Sequence, residues 1–571
     1  MNRNIRATSN HTAPADRYDA IVVGSGISGG WAAKELTQKG LRVLLLERGR
    51  PVEHVTDYST AMQAPWEFPH RGRKTFDDTE AYRIQSKNYG VDETNKHFYV
   101  NEIENPYVQT QPNEFVWARG HQVGGRSLTW GRQCYRWSDL DFEANLKETI
   151  GVDWPIRYAD IAPWYTYVEK FVGISGSREG MAHLPDSEFL PPMPMNCAEK
   201  HLSATVAKTY ADRRVIIGRV ANLTQPKIAR GVCQFRNLCD RGCPFGGYFS
   251  SNAATLPVAA ATGRLTLRPH SIVTEVLYDD RTKRAKGVAV LDAETGKTYE
   301  YFSRILFLNA STISTAFLML RSTSARFPNG LGNDSGELGR NLMTHSKINV
   351  RGHYEGFLDQ YTFGRRANGI YVPRFRNVAK AHPDFRRGYN YQGGASRPRT
   401  SPADVQAGFG ADLKEALTKP APYWNVGLTG FGEQLPDPAN VVRVSQTVKD
   451  KWGLPVPELT WRWLPNDIAM MTDAAREATA MLDAAGCRNI VAEPISQLRS
   501  TVHEMGTARM GRDPKTSVLN AHNQIHACKN VFVTDGACMT SASCVNPSLT
   551  YMALTARAAD FAVKELKRQN L

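Results

Sequence analysis

Residues 19–47 open with Asp19-Ala-Ile-Val-Val23, run through Gly24-Ser-Gly26-Ile-Ser-Gly29-Gly30 and a segment from Trp31 to Lys39, and close on Leu41-Arg-Val-Leu-Leu-Leu46-Glu47. The first apolar run reads as a buried strand, the middle as a helix, and the last as a second strand ending in an acid. This is the dinucleotide-binding pattern in its required context of strand, glycine turn, helix and strand. Gly24 allows the tight turn, Gly26 lets the backbone approach a pyrophosphate, and Gly29 brings helix and strand together. The N–H groups at the helix start then face the phosphates. Glu47, 21 residues beyond Gly26, stands where a carboxylate accepts hydrogen bonds from a ribose diol. The motif specifies an ADP-ribose moiety and leaves NAD and FAD both open.

The far end of the chain separates them. Asn530-Val-Phe-Val-Thr-Asp535-Gly536-Ala537 is another strand running into a turn, and Ser543-Cys-Val-Asn546-Pro547-Ser548-Leu549-Thr550 leads into a helix from Tyr551. Two further segments lie between the ends: Gly124-Gly125-Arg-Ser127, and His503-Glu-Met-Gly506-Thr507-Ala-Arg-Met510-Gly511. With these four ordered segments the chain resembles the glucose–methanol–choline (GMC) oxidoreductases over nearly its whole length. The resemblance implies FAD, held by Gly24, Gly26, Gly29, Glu47, Gly124, Gly125, Ser127, Val273, Asp535, Gly536, Pro547, Ser548 and Thr550. Pyranose 2-oxidases, relatives with a similar ending, attach FAD through a histidine of the glycine loop. Here the matching place holds Thr129, and His121 lies before the glycines, so non-covalent FAD is expected.

The implied fold is an α/β, Rossmann-like FAD-binding domain built from discontinuous segments, with an α+β substrate domain carrying an antiparallel sheet (the GMC/p-hydroxybenzoate hydroxylase-like architecture). Residues 17–343 would form the main part of the FAD domain, including a lid and flavin loop at about 60–170 and a cysteine loop at 231–250. Residues 501–571 would complete it. Strands are expected in that part at Arg264-Leu-Thr-Leu-Arg, Ile272 to Tyr278, Gly287 to Asp292 and Ile305 to Ala310. Residues 344–500 change texture, with period-two runs at 441–445 and 457–463 and a long helix over about 466–485. Residues 396–422, rich in Pro, Gly, Ala and Arg, read as a mobile loop near the substrate entrance.

Composition narrows the class further. The 571 residues are 42% hydrophobic and 22% charged, which suits a full-sized core and excludes disordered or collagenous chains. Seventy Lys+Arg against 56 Asp+Glu leave a net charge of +14, but the basic residues are scattered. No block of about five like charges forms, so nucleic-acid binding is not expected. No apolar run approaches the roughly 18 residues of a membrane-spanning helix. Residues 1–16 are polar and lack the apolar middle of a secretory signal.

Oxidising an alcohol with a flavin needs a base for the hydroxyl proton and a polar group that holds the oxygen. A histidine neutral near pH 7 suits the first task. The resemblance supplies His503 as base and Asn546 as hydroxyl anchor, and the same residues also suit a capping histidine and a helix N-cap.

Three of the nine cysteines crowd into eleven residues, Cys233-Gln-Phe-Arg-Asn-Leu-Cys239-Asp-Arg-Gly-Cys243-Pro244. Clustered thiolates are soft ligands for iron–sulfur or zinc, and Cys-Pro closing a short cysteine run is a ferredoxin habit. Within the GMC group the segment resembles that of bacterial FAD glucose dehydrogenase catalytic subunits, which implies a [3Fe-4S] cluster on Cys233, Cys239 and Cys243. Cys197 is a candidate fourth ligand, and a loop of free or disulfide-bonded thiols is the alternative.

The chain thus reads as a sugar or glycoside dehydrogenase attacking a secondary ring hydroxyl, with C3 of glucosides as one position. Glu433 or Gln434 is expected to face the pocket, and most of the tryptophans to be core. The resemblance implies a small partner subunit bearing a Tat signal, periplasmic location by co-export, and a cytochrome or quinone-linked acceptor; without the subunit the chain would stay cytoplasmic. An O2-using oxidase of pyranose-oxidase type and a non-catalytic flavin electron-transfer module both stay open on the sequence.

Overall fold

The computed structural model describes residues 17–87, 90–110, 114–227, 229–360, 366–398, 409–495 and 502–571. The strand Arg17–Val23 pairs in parallel with Val43–Leu46 on one side and with Thr298–Leu308 on the other. Leu265–Arg268 extends the sheet beyond Val43–Leu46, and Cys528–Val533 extends it beyond Thr298–Leu308. Both faces are covered, so the central stretches 20–23, 43–46 and 305–308 are apolar at every position rather than alternately. Ala20, Val22, Val43 and Leu45 pack against the helices Ile27–Gln38 and Ser548–Lys567. Ile21, Val23, Leu44 and Leu46 face the other way, in a core shared with Val276, Val288 and Val290. Those valines belong to Ser271–Asp279 and Arg284–Asp292, an antiparallel pair that folds back on the sheet through Thr298–Leu308. Arg17–Val23 and Cys528–Val533, from opposite ends of the chain, thereby share one sheet.

A second, six-stranded antiparallel sheet has the order Arg488–Ala492, His345–Tyr354, Trp424–Glu433, Tyr389–Ser396, Ile370–Val372, Ile216–Ile217. The helix Pro465–Ala484 covers one face, with Ile348, Val350, Trp424 and Leu428 packed against Met470, Ala474 and Met481. The sheet recruits Ile216–Ile217, and the helix Cys197–Thr209 packs on it, from well outside 344–500. Conversely, Val441–Lys449 and Pro455–Thr460 do not join this sheet. They form a separate three-stranded sheet with Val108–Thr110, because the free edge of that hairpin finds its partner some 350 residues earlier.

Within 396–422, residues 399–408 lie outside those described. The loop reading gives way to the helix Gly410–Thr418 over Asp412-Leu-Lys-Glu-Ala-Leu, a run of good helix formers that buries no side chain. Among the described residues no helix is long and apolar enough to cross a membrane. Trp137, Trp154 and Trp424 are fully buried core, as expected, whereas Trp117 and Trp130 line the central cavity.

Candidate active site

A cavity of about 520 Å³ opens where the two large sheets meet, and the three-stranded sheet closes it with Pro455, Val456 and Pro457. Its nucleotide end is built from the residues of the first βαβ unit. A Cβ on Gly29 would lie 1.7 Å from the Gly24 carbonyl oxygen, and one on Gly24 would lie 2.3 Å from that of Asn309. A Cβ on Gly26 would meet no protein atom within 4 Å, so this backbone faces open cavity. Two of the glycines therefore serve packing, and the third leaves the backbone open to the cavity. No side chain caps the helix that follows. The Glu47 carboxylate accepts from Ser25 Oγ at 2.5 Å, Ser25 N at 3.1 Å and Gly49 N at 3.0 Å, and burial pushes its pKa up. This set fits the ADP-ribose half of FAD: an open glycine face, an uncapped helix start and a buried carboxylate for a diol.

The flavin loop is tied to this end by hydroxyls. Gly124, left-handed at φ 91°, donates its N–H to Ser25 Oγ at 2.9 Å. Ser127 Oγ donates to the Gly124 carbonyl at 2.6 Å and accepts from Ser251 N at 3.0 Å, while Ser251 Oγ donates to the Gly26 carbonyl at 3.0 Å. Ser251 begins a π-helical turn, Ser251–Thr255, on which the first helix can settle because residue 30 is glycine. Ser25 is a variable position of the glycine motif and Ser251 lies in no motif, so neither was legible as a site residue.

Gly24, Gly26, Glu47, Gly125, Ser127, Val273, Asp535, Gly536, Ser548, His503 and Asn546 all line the one cavity. Gly29, Gly124, Pro547 and Thr550 stand behind its wall. Pro547 precedes the last helix, and Thr550 is buried with its hydroxyl 2.7 Å from that of Tyr165. Asp535 ties elements together, accepting from Ser311 N, Thr315 Oγ1 and Ala537 N, and burial raises its pKa to about 6. Thr129 lines the cavity, and so does His121, which sits beside Arg48 and Arg119 at the Glu47 end. Glu433 and Gln434 do not face the cavity. Glu433 pairs with Arg387 at 3.0 Å, and Gln434 accepts from Thr344 N and Trp461 Nε1. From that sheet Gln392 and Phe431 reach the cavity instead.

At the flavin end His503 has φ 66°, a left-handed backbone that aims its ring at the cavity. The strap 502–507 is held in antiparallel register by two 2.9 Å bonds between Met343 and Met505. That register sets His345 opposite His503, with Nδ1 to Nδ1 at 3.0 Å. His503 Nε2 lies 3.3 Å from Asn546 Nδ2, and Asn546 Oδ1 accepts from Gln392 Nε2 at 2.9 Å. Burial, with His345 and Arg126 nearby, holds the His503 pKa well below its ordinary value. A neutral imidazole nitrogen and an amide N–H thus meet at the cavity wall, the two kinds of group that a proton acceptor and an oxygen anchor require.

Cys233, Cys239 and Cys243 are unpaired and half-buried in a loop whose Asp240 touches the cavity wall. Each thiol acts electrostatically on another, and burial raises Cys233 and Cys239. The donor chemistry fits a three-thiolate group, yet among the described residues no metal-binding set of His, Cys, Asp or Glu is gathered. Cys197 packs instead against the core of the six-stranded sheet.

The sequence matches the GMC oxidoreductase N-terminal family model over residues 18–347 and the C-terminal one over 436–555. It is 28% identical to the 2-methyl-1,2-propanediol dehydrogenase of Mycolicibacterium austroafricanum, covering 96% of each chain. It is 25% identical to the fructose dehydrogenase large subunit of Gluconobacter japonicus (98% of this chain, 100% of the other) and 24% identical to the gluconate 2-dehydrogenase flavoprotein of Pantoea cypripedii (94% and 92%). The pyridoxine 4-oxidase of Mesorbium loti shares the fold, with a TM-score of 0.61 at 16% identity over 95% of this chain and 98% of that one. Matched by its family models over residues 18–347 and 436–555, the chain belongs to the GMC oxidoreductases, a family that implies FAD and acts on CH–OH donors.

Proposed function

We propose that this protein is an FAD-dependent dehydrogenase that oxidises a secondary hydroxyl of a sugar or glycoside to a ketone, with C3 of glucosides as a candidate position. The observation that carries the reading is the 3.3 Å pairing of His503 Nε2 with Asn546 Nδ2 on the cavity wall. A substrate hydroxyl entering between them gives its proton to His503 Nε2 while its oxygen accepts from Asn546 Nδ2. Holding the oxygen in this way fixes the direction of the neighbouring C–H bond, and orientation of that kind lowers barriers by several kcal/mol. FAD, when bound, supplies the hydride acceptor, with Gly26, Glu47, Val273 and the loop at Gly124–Ser127 holding it. A sugar-like substrate is supported by the names of two relatives, a fructose and a gluconate dehydrogenase.

The cofactor is held without a covalent bond: Thr129 has no nucleophilic nitrogen, and His121 sits at the Glu47 end beside Arg48. Cys233, Cys239 and Cys243 would hold a [3Fe-4S] cluster, supplying one-electron transfer toward a cytochrome or quinone-linked acceptor. The partners on this reading are a small subunit that exports both chains to the periplasm and the acceptor itself; one relative is named a large subunit.

Absorption and EPR spectra of freshly purified protein, followed by anaerobic addition of D-glucose, methyl α-D-glucopyranoside and D-fructose, test the reading. Flavin absorption that bleaches with a sugar, an oxidised-cluster EPR signal and flavin released by denaturant are expected. Flavin that stays on the denatured chain overturns the non-covalent assignment. Peroxide release at the rate of dye reduction overturns the dehydrogenase assignment in favour of an oxidase, and no bleaching by any polyol leaves a non-catalytic flavin module.

A further inference from the structure

His345 belongs to none of the sequence motifs, yet it lies against His503 at the start of the strand His345–Tyr354. It is fully buried, its ring centroid is 4.8 Å from that of His503, and the two rings cross at 74°. Its second nitrogen, Nε2, lies 3.3 Å from the carbonyl oxygen of Ala542. A carbonyl can only accept, so His345 carries its proton on Nε2. Burial holds His345 near a pKa of about 4, so it has one ring proton and Nδ1 is left as an acceptor. His503 must then donate from Nδ1, which leaves Nε2 with its lone pair toward the cavity. Asn546 in turn must present Nδ2 to that lone pair, and its Oδ1 then accepts from Gln392. Five groups thus form a single chain of hydrogen bonds that all point one way, from Gln392 to the Ala542 carbonyl.

We propose that His345, anchored on the Ala542 carbonyl, is the positioning residue that sets the tautomer of His503 and the amide orientation of Asn546. The inference rests on the reading of His503 as base. Without the anchor, the reverse chain would be equally satisfied: His503 would carry its proton on Nε2, where a substrate hydroxyl could not deliver one, and Asn546 would turn its oxygen to the substrate. The anchor removes that degeneracy. Ala542 is four residues before Asn546, so the segment that carries the oxygen anchor also carries the group that orients the base.

The test uses FAD-loaded protein with 15N-labelled histidine, and three variants at one position. Asn places an amide oxygen near the site of His Nδ1 and can still accept from His503; Leu and Gln cannot. In the wild type, multiple-bond 1H–15N correlations are expected to show His503 protonated on Nδ1 and bare on Nε2, assigned by the signals lost in His503→Ala. His345→Leu should shift them to a tautomer mixture and lower kcat by roughly 10- to 100-fold at near-constant KM, with flavin content retained. His345→Gln should do the same and replaces Leu if that variant does not load flavin. His345→Asn, which can still accept from His503 but has no group for the Ala542 carbonyl, should recover part of kcat while its tautomer spectrum stays mixed. The substrate is D-glucose or methyl α-D-glucopyranoside, whichever bleaches wild-type flavin faster. A wild-type His503 protonated on Nε2, an unchanged kcat in Leu and Gln, or equal losses in Asn and Leu would each overturn the proposal. Full sugar oxidation by His503→Ala would instead overturn the reading of the base, and the tautomer spectra would still decide what His345 does.

Discussion

His503 and Cys239 are both half-buried groups whose chemistry turns on a proton, and their surroundings differ in kind. Both ring nitrogens of His503 have partners, its backbone is fixed in the left-handed region, and its ring is already neutral. Cys239 has two neighbouring thiols, a loop position five residues before Pro244, and a pKa raised by burial, so it holds its proton. At the cavity the fold itself supplies partners for both ring nitrogens of His503. In the cysteine loop three thiols lie within eleven residues without being drawn into a metal-binding set, so on the cluster reading their deprotonation and final geometry would be left to what binds them, since metal binding to thiols releases protons. A base must be ready before each substrate arrives, whereas a resident cluster is assembled once.

That contrast can be broken at either end. His503→Ala should lower the rate of flavin reduction by about 10²- to 10⁴-fold, the usual contribution of a positioned base, with flavin content unchanged. Stopped-flow reduction under anaerobic conditions measures it, and a loss below tenfold would place the proton elsewhere. On the reading of the cysteine loop as a cluster site, Cys239→Ser should remove protein-bound iron and lower turnover with a one-electron acceptor by about tenfold or more. Single-turnover flavin reduction should fall far less; an iron content equal to wild type would sink the cluster. Gln392→Leu should cost only about one neutral hydrogen bond, ~1 kcal/mol or roughly fivefold in kcat/KM. Its partner Asn546 is still oriented from the other side by His503, so a loss as large as that of His503→Ala would mean that the amide depends on Gln392 alone.

Much of this was open to reading in the sequence, and the reason for the rest is physical. The first βαβ unit is local: its glycines, strand and acid lie within thirty residues, and strand, turn and helix form where the spacing puts them, with Gly24 and Gly29 at close backbone approaches. His503 and Asn546 could be named because each sits in its own short motif. His345 and Gln392 could not, because their relation to His503 comes from a register between strands 158 residues apart and from the meeting of two sheets. The same limit explains the three-stranded sheet, where period-two alternation identifies Val441–Lys449 as strand but says nothing of which edge it joins. Glu433 and Gln434 lie at the end of Trp424–Glu433, where burial against Arg387 and Trp461 replaces the expected exposure to the cavity. Alternation gives a side chain's face; it does not give what covers that face.

The smallest expected effect is a flat pH profile. An ordinary histidine with a pKa near 6.5 would lose about three-quarters of its neutral form on going to pH 6. His503 is held well below that value by burial first, then by His345 and Arg126; Glu504, next along the strap, lies 3.8 Å from Arg126 and offsets part of that cation's charge. A depressed histidine pKa keeps the neutral, proton-accepting form as pH falls, so the acid limb of kcat/KM moves down, not up. Between pH 7.5 and 6 the second-order rate of flavin reduction by sugar, measured anaerobically in single turnovers, should therefore change by less than about twofold. Burial has the same sign for stability: the unfolded chain takes up a proton on this residue near pH 6.5 that the folded chain refuses, so folding loses free energy as pH falls below that point. An acid limb near 6.5 would mean that the ring sees more solvent than its burial implies, and the pre-set base that distinguishes the cavity from the cysteine loop would lose its physical basis.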